Sequence, residues 1–361
     1  MREKMTSLDK LNPREKEIVK QLSLGLSDQA IADRLFLSLN TVKWYNRQIY
    51  SKLGVRTRTQ AIARAQEIGI LKEISSPNPR LPRPQQIHFT NSFDGVRIAY
   101  VVTGSGPPLV KAATYMGHMN FDWESPVWGH WLGELIRQRT LVRYDERGTG
   151  MSERNVTDFS FDAWVRDLEA VADAVDLDRF ALFAMSHSGA VAVAYAATHP
   201  ERVGHLILHG AYARGWLIRD LTTAQREEEK LLMNLMRVGW GQANPAFRQV
   251  FALQLFPEAT TEELRALEEQ MRLSTSPENA VRLETEMHRV DVRKIAAKVK
   301  CPTLVFHSRQ DAAVPFEEGV LLASLIPNSQ FVALESKNHL LTEQEPAWPE
   351  FQNAFRKFLS G

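Results

Sequence analysis

Three polar side chains in the C-terminal part of the sequence could act together in nucleophilic catalysis. Ser186, Asp311 and His339 each follow a short β-rich run of residues. A serine hydroxyl needs a base to take its proton, and an imidazole base needs an anion that fixes its tautomer and stabilises its cation. The order Ser, Asp, His on the same type of element therefore predicts a catalytic triad.

Each of the three residues also has an ordinary structural interpretation. A serine after a strand often caps a helix, an aspartate there often belongs to a turn, and a lone histidine is usually structural. Their joint occurrence in this order favours the triad. For three further histidines, His118, His187 and His307, we favour a structural or pocket-lining role.

The residues around Ser186 predict a sharp turn between a strand and a helix. Residues 184–188 read Ala-Met-Ser-His-Ser, between an apolar run and an Ala-rich segment. A nucleophile on such a strained turn requires small neighbours two positions before and after it. Ala184 and Ser188 meet that requirement, although neither is glycine.

The elements that must position these side chains follow an alternating pattern. Short β-rich runs are separated by segments with helical periodicity, which predicts an α/β fold with a largely parallel sheet. Residues 211–299 interrupt the alternation, because they are helix-rich and contain many Leu, Met and Trp residues. They predict a helical cap over the carboxyl ends of the strands.

The first 73 residues predict an all-α bundle of four short helices. Polar residues that can cap helix N-termini occur at regular intervals, two of them with a capping-box partner three residues later. In chain order, the predicted caps are Asn12 with Glu15, Ser27, Ser38, and Thr57 with Gln60.

The second and third of these helices predict a helix-turn-helix, in which the second helix of the pair enters the major groove of DNA. Its side chains could contact base edges, and basic residues near the next turn could contact phosphates. The spacing alone is equally compatible with a solvated basic face. The predicted base-side residues are Asn40, Thr41, Lys43, Trp44 and Arg47, and the predicted phosphate contacts are Lys52, Arg56 and Arg58.

The distribution of charge supports a DNA-binding N-terminal unit. The formal net charge of the 361 residues is +1, but residues 1–72 contain 14 basic and 7 acidic residues and the remainder contains 30 and 36. A unit of charge +7 therefore precedes one of charge −6, and a polyanion is the expected partner of the first.

A proline-rich segment divides the two units. Residues 74–86 read ISSPNPRLPRPQQ, and this proline density favours an extended, semi-rigid spacer. A long surface loop within one domain is the alternative. We expect an N-terminal domain at 1–73, a linker at 74–86 and a second domain at 87–361.

Composition excludes several other classes of protein. The single cysteine, Cys301, excludes an intramolecular disulfide and a cysteine-rich zinc site. No apolar run approaches the roughly 20 residues that span a bilayer, and the first ten residues lack the apolar core of a signal peptide. We expect a soluble cytoplasmic protein that requires no metal and no cofactor and does not interact with membranes.

The N-terminal unit closely resembles the LuxR-type helix-turn-helix family over about residues 8–71. The matching signatures are LNPRE at 11–15, GLSDQAIADRLFLSLNTVK at 25–43 and KLGVRTRTQA at 52–61. The resemblance implies that the helix with Thr41 to Lys43 lies in the major groove and that the last helix mediates dimerisation. Trp44 departs from the family pattern. Because one such motif reads one half-site, a homodimer on double-stranded DNA is expected.

The C-terminal unit resembles the α/β-hydrolase family over about residues 88–360. Matching segments are RYDERGTGMS at 143–152, AYAATHPERVGHLILHG at 194–210, CPTLVFHSRQDAAVPF at 301–316 and NHLLTEQEPAW at 338–348. The resemblance implies that Ser186 is the nucleophile, Asp311 the acid and His339 the base. It places half of the oxyanion hole at the His187 N–H and, counting back from Trp123, the other half at the Met116 N–H.

A pocket beneath the cap is the expected ligand site, and Tyr115, Met116, Trp123 and Trp216 are candidates to line it. The combined features favour a transcriptional regulator whose hydrolase-like domain senses, and can hydrolyse, a small molecule. The alternative is an active serine esterase or lactonase with an accessory DNA-binding domain. A third possibility, a helical assembly module without DNA, is opposed by Lys43, Arg47 and the charge of +7.

Overall fold

The computed structural model describes residues 11–23, 28–35, 37–67, 70 and 85–360. The chain divides into two compact units, Met1–Arg80 and Leu81–Gly361. The predicted cap Ser27 and residues 74–84 of the proline-rich segment lie outside the described residues, so the linker boundaries stay a prediction.

The described part of the N-terminal unit consists of four helices around a small apolar core. Apolar residues recur every three or four positions along the helices and bury one face of each, as amphipathic helices require. The helices are α1 (Pro13–Ser23), α2 (Asp28–Leu35), α3 (Leu39–Leu53) and α4 (Arg58–Glu67). The buried residues are Leu11, Ile18, Val19, Leu22, Ile31, Ala32, Val42, Ile49, Leu53, Ala61 and Ala65.

Side-chain caps fix the starts of these helices. At α1, Asn12 Oδ1 accepts from the Glu15 N–H and Glu15 Oε2 accepts from the Asn12 N–H, both at 2.8 Å, so the predicted capping box is confirmed. Ser38 Oγ accepts from the Thr41 N–H at 3.1 Å at the start of α3. The helix ends at Gly54, whose φ of +69° suits glycine.

The capping box predicted for α4 is only half present. Thr57 Oγ1 accepts from the Gln60 N–H at 3.3 Å, as expected. The Gln60 side chain reaches past the cap residue, however, and its Oε1 accepts from the Arg56 N–H at 3.0 Å. The prediction of a reciprocal bond to the Thr57 N–H is therefore wrong.

The C-terminal unit is built on an eight-stranded sheet with the order β1-β2-β4-β3-β5-β6-β7-β8. β2 pairs antiparallel with β1 and β4, and the other neighbours are parallel. The predicted largely parallel α/β fold is confirmed. The strands are β1 (His88–Asn91), β2 (Arg97–Gly104), β3 (Pro108–Lys111), β4 (Thr140–Tyr144), β5 (Phe180–Met185), β6 (Val203–His209), β7 (Thr303–Ser308) and β8 (Ser329–Leu334).

Helices cover this sheet and bury its central strands. All six residues of β5 and of β7 are buried, as expected for parallel strands with helices on their faces. The helices outside the cap region are α5 (Gly129–Leu135), α6 (Phe161–Ala174), α7 (Ser188–Thr198), α12 (Arg293–Ala296), α13 (Phe316–Leu325) and α14 (Ala347–Ser360).

The segment between β6 and β7 is helical, in agreement with the predicted cap. A 3₁₀ turn (Trp216–Ile218) precedes four helices, α8 (Thr223–Gly239), α9 (Ala246–Leu255), α10 (Thr261–Ser274) and α11 (Pro277–Met287). α8 packs on α9 and α11, and α9 packs on α10. None of the helices in the described ranges is long and apolar enough to cross a membrane.

Candidate functional site

Ser186 occupies a strained turn between β5 and α7. Its φ is +53°, in the left-handed region that residues other than glycine rarely adopt. Such a conformation costs on the order of 1–3 kcal/mol and persists only where the surroundings impose it. Here the Ser186 N–H donates to the His209 carbonyl at 2.9 Å, which ties the turn to the end of β6.

The small residues around the turn have structural roles. Ser188 Oγ accepts from the Met185 N–H at 3.1 Å and donates to the Met185 carbonyl at 2.8 Å, so its hydroxyl bridges the turn. Ala184 is fully buried. A Cβ on Gly189 would lie 2.3 Å from the Ala211 Cβ, which explains why glycine occupies the first turn of α7.

Asp311 and His339 form a hydrogen-bonded pair at the carboxyl ends of β7 and β8. His339 Nδ1 lies 2.7 Å from Asp311 Oδ2, and Asp311 Oδ1 accepts from the N–H groups of Ala313 and Val314, each at 2.9 Å. Burial raises the pKa of Asp311, but His339 and its hydrogen bond lower that pKa by more, so it falls below its ordinary value. The carboxylate is therefore ionised at neutral pH and can fix the imidazole tautomer.

The backbone of His339 is held from two sides. Its N–H donates to the Leu255 carbonyl at 2.8 Å, and its carbonyl lies 3.1 Å from His209 Nε2. Burial, with His339 and His307 nearby, lowers the pKa of His209 to about 3, so His209 acts as a neutral donor. A Cβ on Gly210 would lie 2.7 Å from His339 Cε1, so glycine leaves room for the imidazole.

The predicted proton acceptor of the site is Nε2 of His339. Nε2 is buried and has no hydrogen-bond partner among the residues that the structure describes, so it is not bonded to the Ser186 hydroxyl. Both residues line the same cavity. Hydrogen bonds of this kind are often loose without substrate and tighten in the complex.

Met116, the predicted second oxyanion donor, lies in an anchored loop after β3. Its carbonyl accepts from Gln270 Nε2 of cap helix α10 at 3.0 Å, and the same Nε2 is 2.8 Å from Asp122 Oδ1. Arg143 Nη1 donates to Asp122 Oδ2 at 2.8 Å, and the Met119 N–H donates to a carboxylate oxygen of Asp145 at 3.1 Å. The loop is therefore fastened to the sheet and to the cap.

The cavity beside Ser186 has a volume of about 210 Å³. Tyr115, Met116 and Trp216 line it as expected, together with His187, which follows the serine. Trp123 does not line it, so that assignment is corrected. Its ring lies 5.4 Å from the Arg143 guanidinium, and Trp128 is the tryptophan of this loop that reaches the cavity.

Sequence reasoning missed the charged groups of this site. His187 Nε2 lies 3.3 Å from Glu146 Oε2, and both side chains are almost fully buried. Glu229, Glu284 and His288 come from the cap and line the cavity. The separation of Glu284 and His288 by four residues on a helical segment was the available signal, because it places both on one face.

The predicted DNA-contacting residues differ in exposure and in their intramolecular contacts. Asn40, Lys43, Trp44 and Arg47 are exposed on α3, with Trp44 49% exposed, and Arg56 is exposed in the turn before α4. Thr41 is half-buried and its Oγ1 lies 2.8 Å from Ser38 Oγ.

The remaining two basic residues form contacts between helices of the N-terminal unit. Lys52 Nζ lies 2.7 Å from Glu15 Oε1, and Arg58 Nη2 donates to the Leu22 carbonyl at 2.9 Å. Their cationic groups therefore have intramolecular partners, which a phosphate would have to share.

Comparisons with known proteins agree with this architecture. A model of the α/β hydrolase fold matches residues 119–346, and a model of the luxR family of bacterial regulatory proteins matches residues 9–65. RutD of Klebsiella pneumoniae is 29% identical, and the match covers 58% of this chain and 79% of RutD. YisY of Bacillus subtilis, an AB hydrolase superfamily protein, is 24% identical, and the match covers 70% of this chain and 92% of YisY. An esterase structure from Exiguobacterium antarcticum, at 22% identity, has a TM-score of 0.66 and covers 76% of this chain and 100% of the esterase.

Proposed function

Because the chain belongs to the α/β hydrolase fold family and carries an N-terminal LuxR-type DNA-binding domain, we propose that it is a transcriptional regulator whose hydrolase-like domain senses a small molecule. The observation that carries this proposal is the presence, in one chain, of an exposed recognition helix and a cavity lined by Ser186 and His339. Sensing requires that occupancy of the cavity changes the affinity for DNA.

The proposed DNA-binding face is the exposed side of α3. Val42 and Ile49 pack into the helical core, so Lys43 and Arg47 are free to reach base edges or phosphates. Each copy offers one recognition helix, and we propose that the protein acts in the cytoplasm as a homodimer on a two-fold symmetric site.

The proposed ligand site is the cavity beside Ser186. In this proposal the ligand places a carbonyl oxygen toward the N–H groups of His187 and Met116, which would form the oxyanion hole, and its remainder occupies the space below the cap. The aromatic lining and the few convergent polar groups are typical of small-molecule sites.

A second candidate function is hydrolysis of an ester or lactone, with the DNA-binding domain as an accessory. The Asp311–His339 hydrogen bond of 2.7 Å favours it, because a signal receptor has no need for an oriented base. In this mechanism His339 Nε2 takes the Ser186 proton, Ser186 Oγ attacks the carbonyl, and water later releases the acyl group.

One pair of experiments separates the two functions. Duplexes selected from a random pool by the full-length protein should compete at least tenfold better than random DNA, and Lys43→Ala should abolish that preference. If no duplex competes better than random DNA, specific regulation is refuted. Steady release of p-nitrophenol from short acyl esters, absent in Ser186→Ala, would instead support the esterase.

A further inference from the structure

The cap side of the cavity carries a cluster of one imidazole and two carboxylates. His288 Nε2 lies 3.2 Å from Glu284 Oε1, and His288 Nδ1 lies 3.4 Å from Glu229 Oε1. All three side chains are largely buried and line the cavity that also holds Ser186 and His339. One imidazole thus bridges carboxylates from α8 and α11.

This cluster leaves the cavity with excess negative charge. Burial lowers the pKa of His288, but Glu284 and Glu229 raise it by more, so the pKa lies above its ordinary value. Burial raises the pKa of Glu284, but His288 and other neighbours lower it by more, so Glu284 is ionised at neutral pH. The trio therefore retains a negative charge even when the imidazole is protonated.

The other charged residues of the lining do not reverse this balance. Arg219 contributes one positive charge, but its Nε is 3.8 Å from Glu318 Oε1 and donates to the Arg214 carbonyl at 3.0 Å. Glu228 adds a further carboxylate. The lining imidazoles of His187 and His339 each have a carboxylate of their own, Glu146 and Asp311. Three lining carboxylates thus face two positive charges, from Arg219 and His288.

Aromatic rings line the same cavity, and two of them lie near the Glu284 carboxylate. Tyr115, Tyr212, Trp216 and Phe251 line the cavity. Burial and then the nearby Glu284 carboxylate raise the pKa of both Tyr115 and Tyr212, so the two phenols stay neutral beside it. Aromatic rings near a carboxylate are a favourable environment for an ammonium group.

We propose that the cavity binds ligands with a cationic amine, whose ammonium group is held by Glu284 between Tyr115 and Tyr212 while its other end points toward Ser186. This inference rests on the proposed function, because it names the ligand class of the same cavity. An anionic group of equal size would meet the carboxylates without a compensating charge. A neutral group would leave the residual negative charge of the trio without a counter-ion.

The test measures protection of Ser186 from covalent modification by diisopropyl fluorophosphate. The full-length protein is treated in the presence of butylamine, which is protonated at pH 7.5, of 1-butanol, or of butyrate, and the modified fraction is read by mass spectrometry. We expect butylamine to protect at about tenfold lower concentration than butanol, and butyrate to protect least.

Variants locate the cationic subsite. In Glu284→Gln, the protecting concentrations of butylamine and butanol should lie within about twofold of each other. Glu229→Gln should reduce the preference for butylamine only in part. Glu227→Gln is the matched control, because Glu227 lies on α8, is exposed and pairs with Lys230 outside the cavity. The preference of this control variant for butylamine over butanol should equal that of the wild type.

The outcomes separate this inference from the function on which it rests. If Ser186 of the wild type is not modified at all, the proposed nucleophile fails. If Ser186 is modified but the three probes protect equally, or if Glu227→Gln removes the preference as fully as Glu284→Gln, the cationic ligand class is overturned. Comparison of the three probes on the wild-type protein tests the cationic ligand class even where a variant does not fold.

Discussion

Asp311→Asn should slow the reaction of Ser186 with diisopropyl fluorophosphate while the asparagine side chain occupies the position of the aspartate. Asp311 Oδ1 accepts two backbone N–H groups, from Ala313 and Val314, so the amide oxygen of asparagine would take that position. The amide N–H group would then face His339 Nδ1, where the carboxylate oxygen now lies at 2.7 Å. The neutral imidazole of His339 would then carry its proton on Nε2. Because Nε2 would already be protonated, it could not accept the serine proton.

The size of the effect follows from this change of tautomer. The same substitution in a serine protease triad lowers turnover roughly 10⁴-fold. Because phosphorylation of Ser186 by this reagent needs only the first proton transfer, we expect a decrease of about 10²–10⁴-fold in the second-order rate constant. That corresponds to about 2.7–5.4 kcal/mol in the activation free energy.

The assay follows the mass increase of the intact protein with time. Asp291→Asn is the matched control, since Asp291 is a partly exposed carboxylate that pairs with Arg293 at the surface of the same unit. Its rate constant should stay within twofold of the wild type. If Asp311→Asn reacts as fast as the wild type while its melting temperature is unchanged, Ser186 is not activated through His339.

Other predictions concern the loop, the core and the DNA face. Gln270→Ala removes the bond to the Met116 carbonyl and should lower the rate of Ser186 modification about tenfold, as measured by the same assay. Burial lowers the pKa of His130 to about 4, against roughly 6.5 in an unfolded chain, so the stability present above pH 6.5 is lost as the pH falls to 4. Urea unfolding at pH 7 and at pH 4 measures this loss as a difference in the free energy of unfolding. The difference should be about 3 kcal/mol larger in the wild type than in His130→Gln. Arg56 is a predicted phosphate contact, so Arg56→Ala should weaken binding to a selected duplex and reduce the slope of log affinity against log salt by about one, whereas Lys16→Ala on the exposed side of α1 should change neither.

Much of the fold was predictable because its signals are local. Caps such as Asn12 and Ser38, the apolar period of each helix and the β-rich runs all depend on residues close in sequence. The small residues around Ser186 similarly predicted a strained turn, and the structure has one there. Asp311 and His339 were predicted to act together from their order after β-rich runs, and the structure pairs them at the carboxyl ends of two neighbouring parallel strands.

The rest of the site depends on contacts between distant segments. Gln270 reaches Met116 across 154 positions of sequence, and no local pattern indicates that contact. Glu229 meets His288 only because α8 packs on α11. The position of Trp123 was wrong for a related reason, since the order of residues in an irregular loop does not indicate which side chains point inward.

The central claim is that occupancy of the cavity beside Ser186 changes affinity for DNA, and fluorescence anisotropy with a labelled, selected duplex tests it directly. Modification of Ser186 by diisopropyl fluorophosphate fills the cavity without knowledge of the natural ligand, and Ser186→Ala treated in the same way is the control. We expect the modified protein to differ from the unmodified protein by at least about fivefold in Kd, the lower end of typical coupling between sites. Equal Kd values for the modified and unmodified protein would contradict the sensing function.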